Sequence, residues 1–161
     1  MQDIALGSVV TDLASGLEGT AVARSDLFNG NVQYIVQPKA FKGADKLPEQ
    51  WSMDALTLKV KGKGISAQAM QAQHTEIQVG DEVQDIVSGH KGIATAKTTY
   101  INGCVYFDVV KPSNEAKKIE STSMYLSCTR LTKVGKKRIT PIVSAAEKPT
   151  GGPSTRAMRA N

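Results

Sequence analysis

The sequence predicts an all-β protein made of two tandem small barrels and an extended C-terminal tail. Three observations predict it. Residues 6–37 recur as residues 79–110 at a constant offset of 73. Each copy centres on an Asn-Gly pair between alternating segments, a strong short-range hairpin signal. After residue 136 the alternation stops, and Pro, Gly and basic residues take over.

The duplication comes first because it fixes the domain plan. Of the 32 aligned pairs, 12 are identical, among them Gly7/Gly80, Asp12/Asp85, Gly16/Gly89, Gly19/Gly92, Asn29/Asn102 and Gly30/Gly103. Others keep their kind, as in Arg24/Lys97 and Tyr34/Phe107. The plan is a first barrel over residues 1–61, a linker over 62–77, a second barrel over 78–136 and a basic tail over 137–161. "WSMDALTLKV" from Trp51 and "YLSCTRLTKV" from Tyr125 read as the same closing strand after a short indel.

Within each copy the elements follow in order. Gly7 and Gly80 open a short strand. Ser15-Gly16 and Ser88-Gly89 start a turn that Gly19 and Gly92 close. A two-residue turn at Asn29-Gly30, and again at Asn102-Gly103, then joins two longer strands. Such a type I′ turn needs positive φ at both central residues. In this register Leu27 faces Val32 and Ala23 faces Val36 on an apolar side; Tyr100/Val105 and Ala96/Val109 repeat it. Arg24, Asp26 and Gln33 fall on the other side, as do Lys97 and Asp108, an ion pair directly across the hairpin. One or two closing strands complete about five per copy. The linker carries one helical turn around Ala67–Gln71.

Composition narrows the function. The chain has only eight aromatic residues, thin material for two cores. Net charge is +5, but residues 1–129 hold 12 Lys/Arg against 14 Asp/Glu, whereas residues 130–161 hold eight against Glu147 alone. A nucleic-acid prior therefore attaches to the tail. Cys104 and Cys128 make no disulfide framework. They either pair or stay reduced, and the reduced state is favoured because nothing marks secretion. The N-terminus lacks a basic region and a long apolar run. No run approaches the ~18 apolar residues of a membrane span, and the chain is read as soluble.

Catalytic, metal and cofactor residues are all expected to be none. His74 and His90 stand alone, and the cysteines lack metal-ligand spacing. No nucleophile has a recognisable base. The glycine turns have strands on both sides, whereas a phosphate loop needs a following helix. Asp12 and Asp85 read as turn carboxylates that accept nearby backbone N–H groups.

Compact units of this length resemble small SH3-like or KOW/Tudor-like barrels. "VGDEVQDIVSGHKGIATAKTTYINGCVYFDVVKP" moreover resembles a β module recurring in tailed-bacteriophage proteins; the first copy departs from it at Asn31, where the module has Cys. The resemblance implies a virion accessory protein without enzymatic role, such as a capsid decoration, collar or tail component, assembled in the host cytoplasm. Its expected partners are other virion proteins and its own copies, with no membrane, cofactor or small-molecule substrate. Nucleic acid is expected only at the tail; the alternative is a KOW/Tudor-like binder of nucleic acid or a host protein. The contact residues expected from the face assignment are Arg24, Phe28, Gln33, Lys97, Ile101 and Tyr106, with Arg138, Lys148, Arg156 and Arg159 from the tail.

Overall fold

Edge strands leave a row of backbone donors and acceptors unmet, and a second edge is the readiest partner for them. That tendency organises this molecule. The structure, a computed structural model, describes residues 3–111, 123–135, 138 and 139. Its strands are β1 (Val9–Asp12), β2 (Glu18–Leu27), β3 (Val32–Gln37), β4 (Trp51–Asp54), β5 (Leu58–Gly62), β6 (Glu82–Asp85), β7 (Lys91–Tyr100), β8 (Val105–Val110), β9 (Ser123–Ser127) and β10 (Leu131–Lys133). They form one ten-stranded sheet with the path β10-β6-β7-β2-β1-β5. Strand β3 adds to β2 and β4 to β3, while β8 adds to β7 and β9 to β8.

The expectation of two closed SH3-like barrels is thus corrected to a single open sheet. Neither half closes, for among the described residues β4 pairs with β3 alone and β5 with β1 alone, as β9 and β10 pair with β8 and β6 alone. In each half a short 3-10 turn, Ala55–Thr57 or Cys128–Arg130, separates the last two strands. The length of β2 explains the fusion. Residues 18–20 pair with β1, leaving 23–27 of that edge for β7.

The β2–β7 pairing has internal two-fold symmetry. Ser25 lies opposite Thr98, its own counterpart in the repeat; Arg24/Thr99 and Asp26/Lys97 flank it as exchanged pairs. Phe28 N–H donates to Thr95 O at 2.7 Å, and Ile101 N–H donates to Val22 O at 2.8 Å. Those acceptors sit at the register shifts in the β2–β3 and β7–β8 ladders. A bulge thereby turns a backbone carbonyl from its own hairpin toward the sister half.

Each hairpin bend also differs from expectation. Gly30 and Gly103 have φ of 85° and 81°, while among the described residues no non-glycine has positive φ, so a type I′ turn is ruled out. Gly30 N–H donates to Leu27 O and Leu27 N–H to Asn31 O, each at 2.9 Å. This is a three-residue loop, a type I turn ending in a left-handed glycine. The Asn29 side chain accepts the Asn31 N–H at 3.0 Å, and Asn102 accepts that of Cys104 at 3.1 Å. The extra residue moves the register by one, placing Val32 opposite Asp26 and Val105 opposite Thr99.

Two cores result. Ile4, Val10, Ala21, Val32, Tyr34, Val36, Ala55 and Leu58 fill one; Ile77, Val83, Ala94, Val105, Phe107, Val109, Cys128 and Leu131 fill the other. Fully burying a Val or Phe contributes about 1.5–3 kcal/mol. Gly19 and Gly92 lie inside β2 and β7 and do not close turns. They admit the crossing strand: a Cβ on Gly92 would stand 2.7 Å from Val109 Cγ1, and one on Gly19 2.6 Å from Gln37 O. The closing strands pair Val36 with Trp51 and Val109 with Met124. Trp51 therefore matches Met124 and not Tyr125, and the offset of 73 continues to Leu58/Leu131 without net indel.

Candidate functional site

Carboxylates at the start of each half are structural. Asp12 accepts Ser15 Oγ–H at 2.6 Å and Ser15 N–H at 2.9 Å. The hydroxyls of Ser15 and Thr57 and the Ser15 N–H hold its carboxyl down at about 2. Asp85 repeats the Ser88 contacts and adds a two-pronged bond from Arg130, at 3.1 and 2.7 Å. Arg130 first, then Ser88, keeps Asp85 below the ordinary carboxylate range. Asp81 is fully buried; it meets Lys133 Nζ at 3.1 Å and Arg138 Nε at 3.0 Å. Burial alone would push it up, but the Gln78 N–H and the two cations outweigh burial and hold it down. The matching positions in the first half, Ser8 and Thr57, are uncharged.

These pairs redistribute the basic C-terminal region. Arg130, Lys133 and Arg138 neutralise buried aspartates, and Ile139 N–H donates to Gly80 O at 2.9 Å. Lys148, Arg156 and Arg159 lie outside the described residues. The linker lies along the second hairpin: its 3-10 turn is Ser66–Gln68, and Met70 and Gln73 N–H donate to Ile101 and Gly103 O, each at 2.8 Å.

The expected hairpin contacts are placed as follows. Arg24 is half-buried and bonded to Asp3 and Asp26. Phe28 and Ile101 sit in the bends, their N–H groups spent across the symmetry axis. Gln33 accepts from Ser52 Oγ at 2.9 Å. Lys97 lies opposite Phe107 and Asp108 opposite Ala96, so the expected Lys97–Asp108 pair does not form; the longer bend offsets them by one residue. Gly16 and Gly89 N–H donate to Asp12 and Asp85 O at 2.8 Å, anchoring the first turns.

Two surface concavities are formed by described residues. In the first half, Leu17, Glu18, Pro38, Lys39, Phe41 and Trp51 border an apolar groove of about 330 Å³. Phe41 is 88% exposed there. In the second half, Tyr100, Asn102, Cys104, Tyr106 and Tyr125 line a shallow recess of about 350 Å³. Tyr106 and Tyr125 stack at 4.9 Å and 9°, Tyr100 meets Tyr106 edge-on at 6.0 Å and 88°, and the Tyr100 and Tyr125 hydroxyls are 2.8 Å apart. Burial first, then the Tyr100 phenol, pushes Tyr125 well above the ordinary tyrosine value, so it stays a neutral phenol. Sequence reasoning singled out Tyr106 alone of these three. The missed signal was difference between repeats, since Tyr100 and Tyr106 replace Leu27 and Gln33.

Among the described residues no group of three or more His, Cys, Asp or Glu is placed to hold a metal ion. None of their helices is long and apolar enough to cross a membrane. Cys104 and Cys128 are free thiols, and burial pushes that of Cys128 up. The arrangement defines a duplicated all-β protein with one open sheet. No protein-family model, curated protein or solved structure matches the chain. The resemblance to SH3-like or KOW barrels and to bacteriophage virion modules is accordingly withdrawn: the sheet is open and no match carries it.

Proposed function

We propose that this chain is a non-catalytic structural protein that binds neighbouring protein subunits, its own copies among them, in a larger assembly. The observation that carries the reading is the first-half groove. Phe41 lies almost wholly in solvent beside Trp51, Pro38 and Leu17. Apolar residues so displayed gain most by transfer into a protein interface. Among the described residues, strand β4, which contains Trp51, is paired on one side only, so the groove borders a strand edge that an extended partner segment fits.

Sedimentation velocity of the full chain over a range of concentrations tests it. Concentration-dependent oligomers that Phe41→Ser and Trp51→Ser shift to monomer are expected. A chain that stays monomeric, and that binds DNA or RNA with a salt-dependent affinity lost on removing residues 140–161, supports nucleic-acid binding instead.

A further inference from the structure

The sheet continues across Ser25 and Thr98, so the two halves present matched positions side by side on one outer face. Pairing places Leu27, Gln33, Ile35 and Ser52 there in the first half. In the second half the same positions hold Tyr100, Tyr106, Asp108 and Tyr125. The first half forms the same strands in the same pairing without three rings and a carboxylate. The fold therefore does not require them, and three tyrosines grouped on an outer face call for another explanation.

Their chemistry is that of a cation site. Ring faces carry negative quadrupole charge. Asp108 lies directly opposite Tyr125 and adds a formal negative charge to the same face. Its carboxylate accepts Ser123 Oγ–H at 3.2 Å and makes no ion pair among the described residues. Lys97 cannot neutralise it, because Lys97 adjoins Thr98 on β7 and lies opposite buried Phe107 on the other face. We infer that the patch formed by Tyr100, Tyr106, Tyr125 and Asp108 binds a cationic side chain, an arginine, presented by a partner protein. A guanidinium is planar and weakly hydrated; it stacks on a tyrosine face while its edge N–H groups reach a carboxylate. The inference rests on the reading that this chain binds proteins, but its site is separate from the first-half groove.

The test is a titration of the full chain with a blocked Gly-Arg-Gly peptide, followed through tyrosine ring signals in NMR spectra. The neutral citrulline analogue is the comparison. Tyr106→Gln and Asp108→Ile import the first half's own residues, so both variants are expected to fold, and thermal unfolding verifies it. The expected result is a saturable shift of the three tyrosines, at least about fivefold weaker for citrulline and for either variant. Equal binding of the citrulline peptide, unchanged binding in both folded variants, or no ring response overturns the inference. If the rings are silent while Phe41→Ser still dissociates oligomers, the inference fails and the assembly reading stands. If the rings respond in a chain that is always monomeric, the self-assembly reading fails and the cation site stands.

Discussion

Ser25 Oγ lies 2.9 Å from Thr98 Oγ1, and the two residues are each other's counterparts in the repeat. A hydroxyl bridged to its own sequence equivalent marks the axis about which the halves are related. The chain is arranged like a symmetric dimer whose two subunits have been joined end to end, and it keeps the self-complementary interface such a dimer needs.

The bridge predicts coupling between the two sites. In a double-mutant cycle with Ser25→Ala and Thr98→Val, denaturant unfolding is expected to show an interaction of about 0.5–1 kcal/mol. Strict additivity would mean that the hydroxyls do not hold the seam.

Gly92→Ala is expected to destabilise by about 1–3 kcal/mol, since the new methyl meets the Val109 side chain and the Val110 carbonyl. Gly62→Ala has open space and serves as the control, with little change. Equal effects at both sites would show that close strand crossing is not what Gly92 permits.

Tyr34 and Phe107 occupy equivalent core positions but are not interchangeable. The Tyr34 hydroxyl accepts the buried Ile4 N–H at 3.1 Å. Tyr34→Phe strands that donor and is expected to cost about 1–3 kcal/mol. Phe107→Ala, which empties a fully buried site, is expected to cost about 3–5 kcal/mol. Equilibrium unfolding of each variant measures both.

Acid should loosen both halves, the second most. Asp12 falls from the ordinary 3.8 to about 2, and Asp81 and Asp85 are also held below the ordinary value. A depressed folded pKa means the unfolded chain binds protons first. The stabilisation is therefore complete above the ordinary carboxylate value and is lost as pH falls through the folded one. Stability is expected to decline from about pH 5 down toward pH 2. Asp85→Asn is expected to flatten that decline while lowering stability at neutral pH. Thermal unfolding across this pH range checks both.

Local chemistry made the duplication, the hairpins and the turn carboxylates legible from sequence, because identical residues at a fixed offset impose identical turns. The register was not legible. Asn29-Gly30 suits both a two-residue and a three-residue bend, and the three-residue bend sets the register as far as the bulges at Ala21/Ala23 and Ala94/Ala96. With the faces misassigned, Lys97 and Asp108 became a pair and the Tyr100–Tyr106–Tyr125 cluster stayed hidden. The β2–β7 seam was invisible for another reason: pairing between sister strands is non-local and leaves no periodic trace. Arg130, Lys133 and Arg138 looked like the onset of a basic tail because their partners Asp81 and Asp85 lie some fifty residues away in sequence.

The most direct measurement is amide hydrogen exchange at Phe28 and Ile101. Both N–H groups sit in hairpin bends and donate to carbonyls of the opposite half. One continuous sheet predicts that both are protected like strand amides and open together. Exchange at the rate of unbonded loop amides, with the core strands still protected, would show two independent halves and contradict the account.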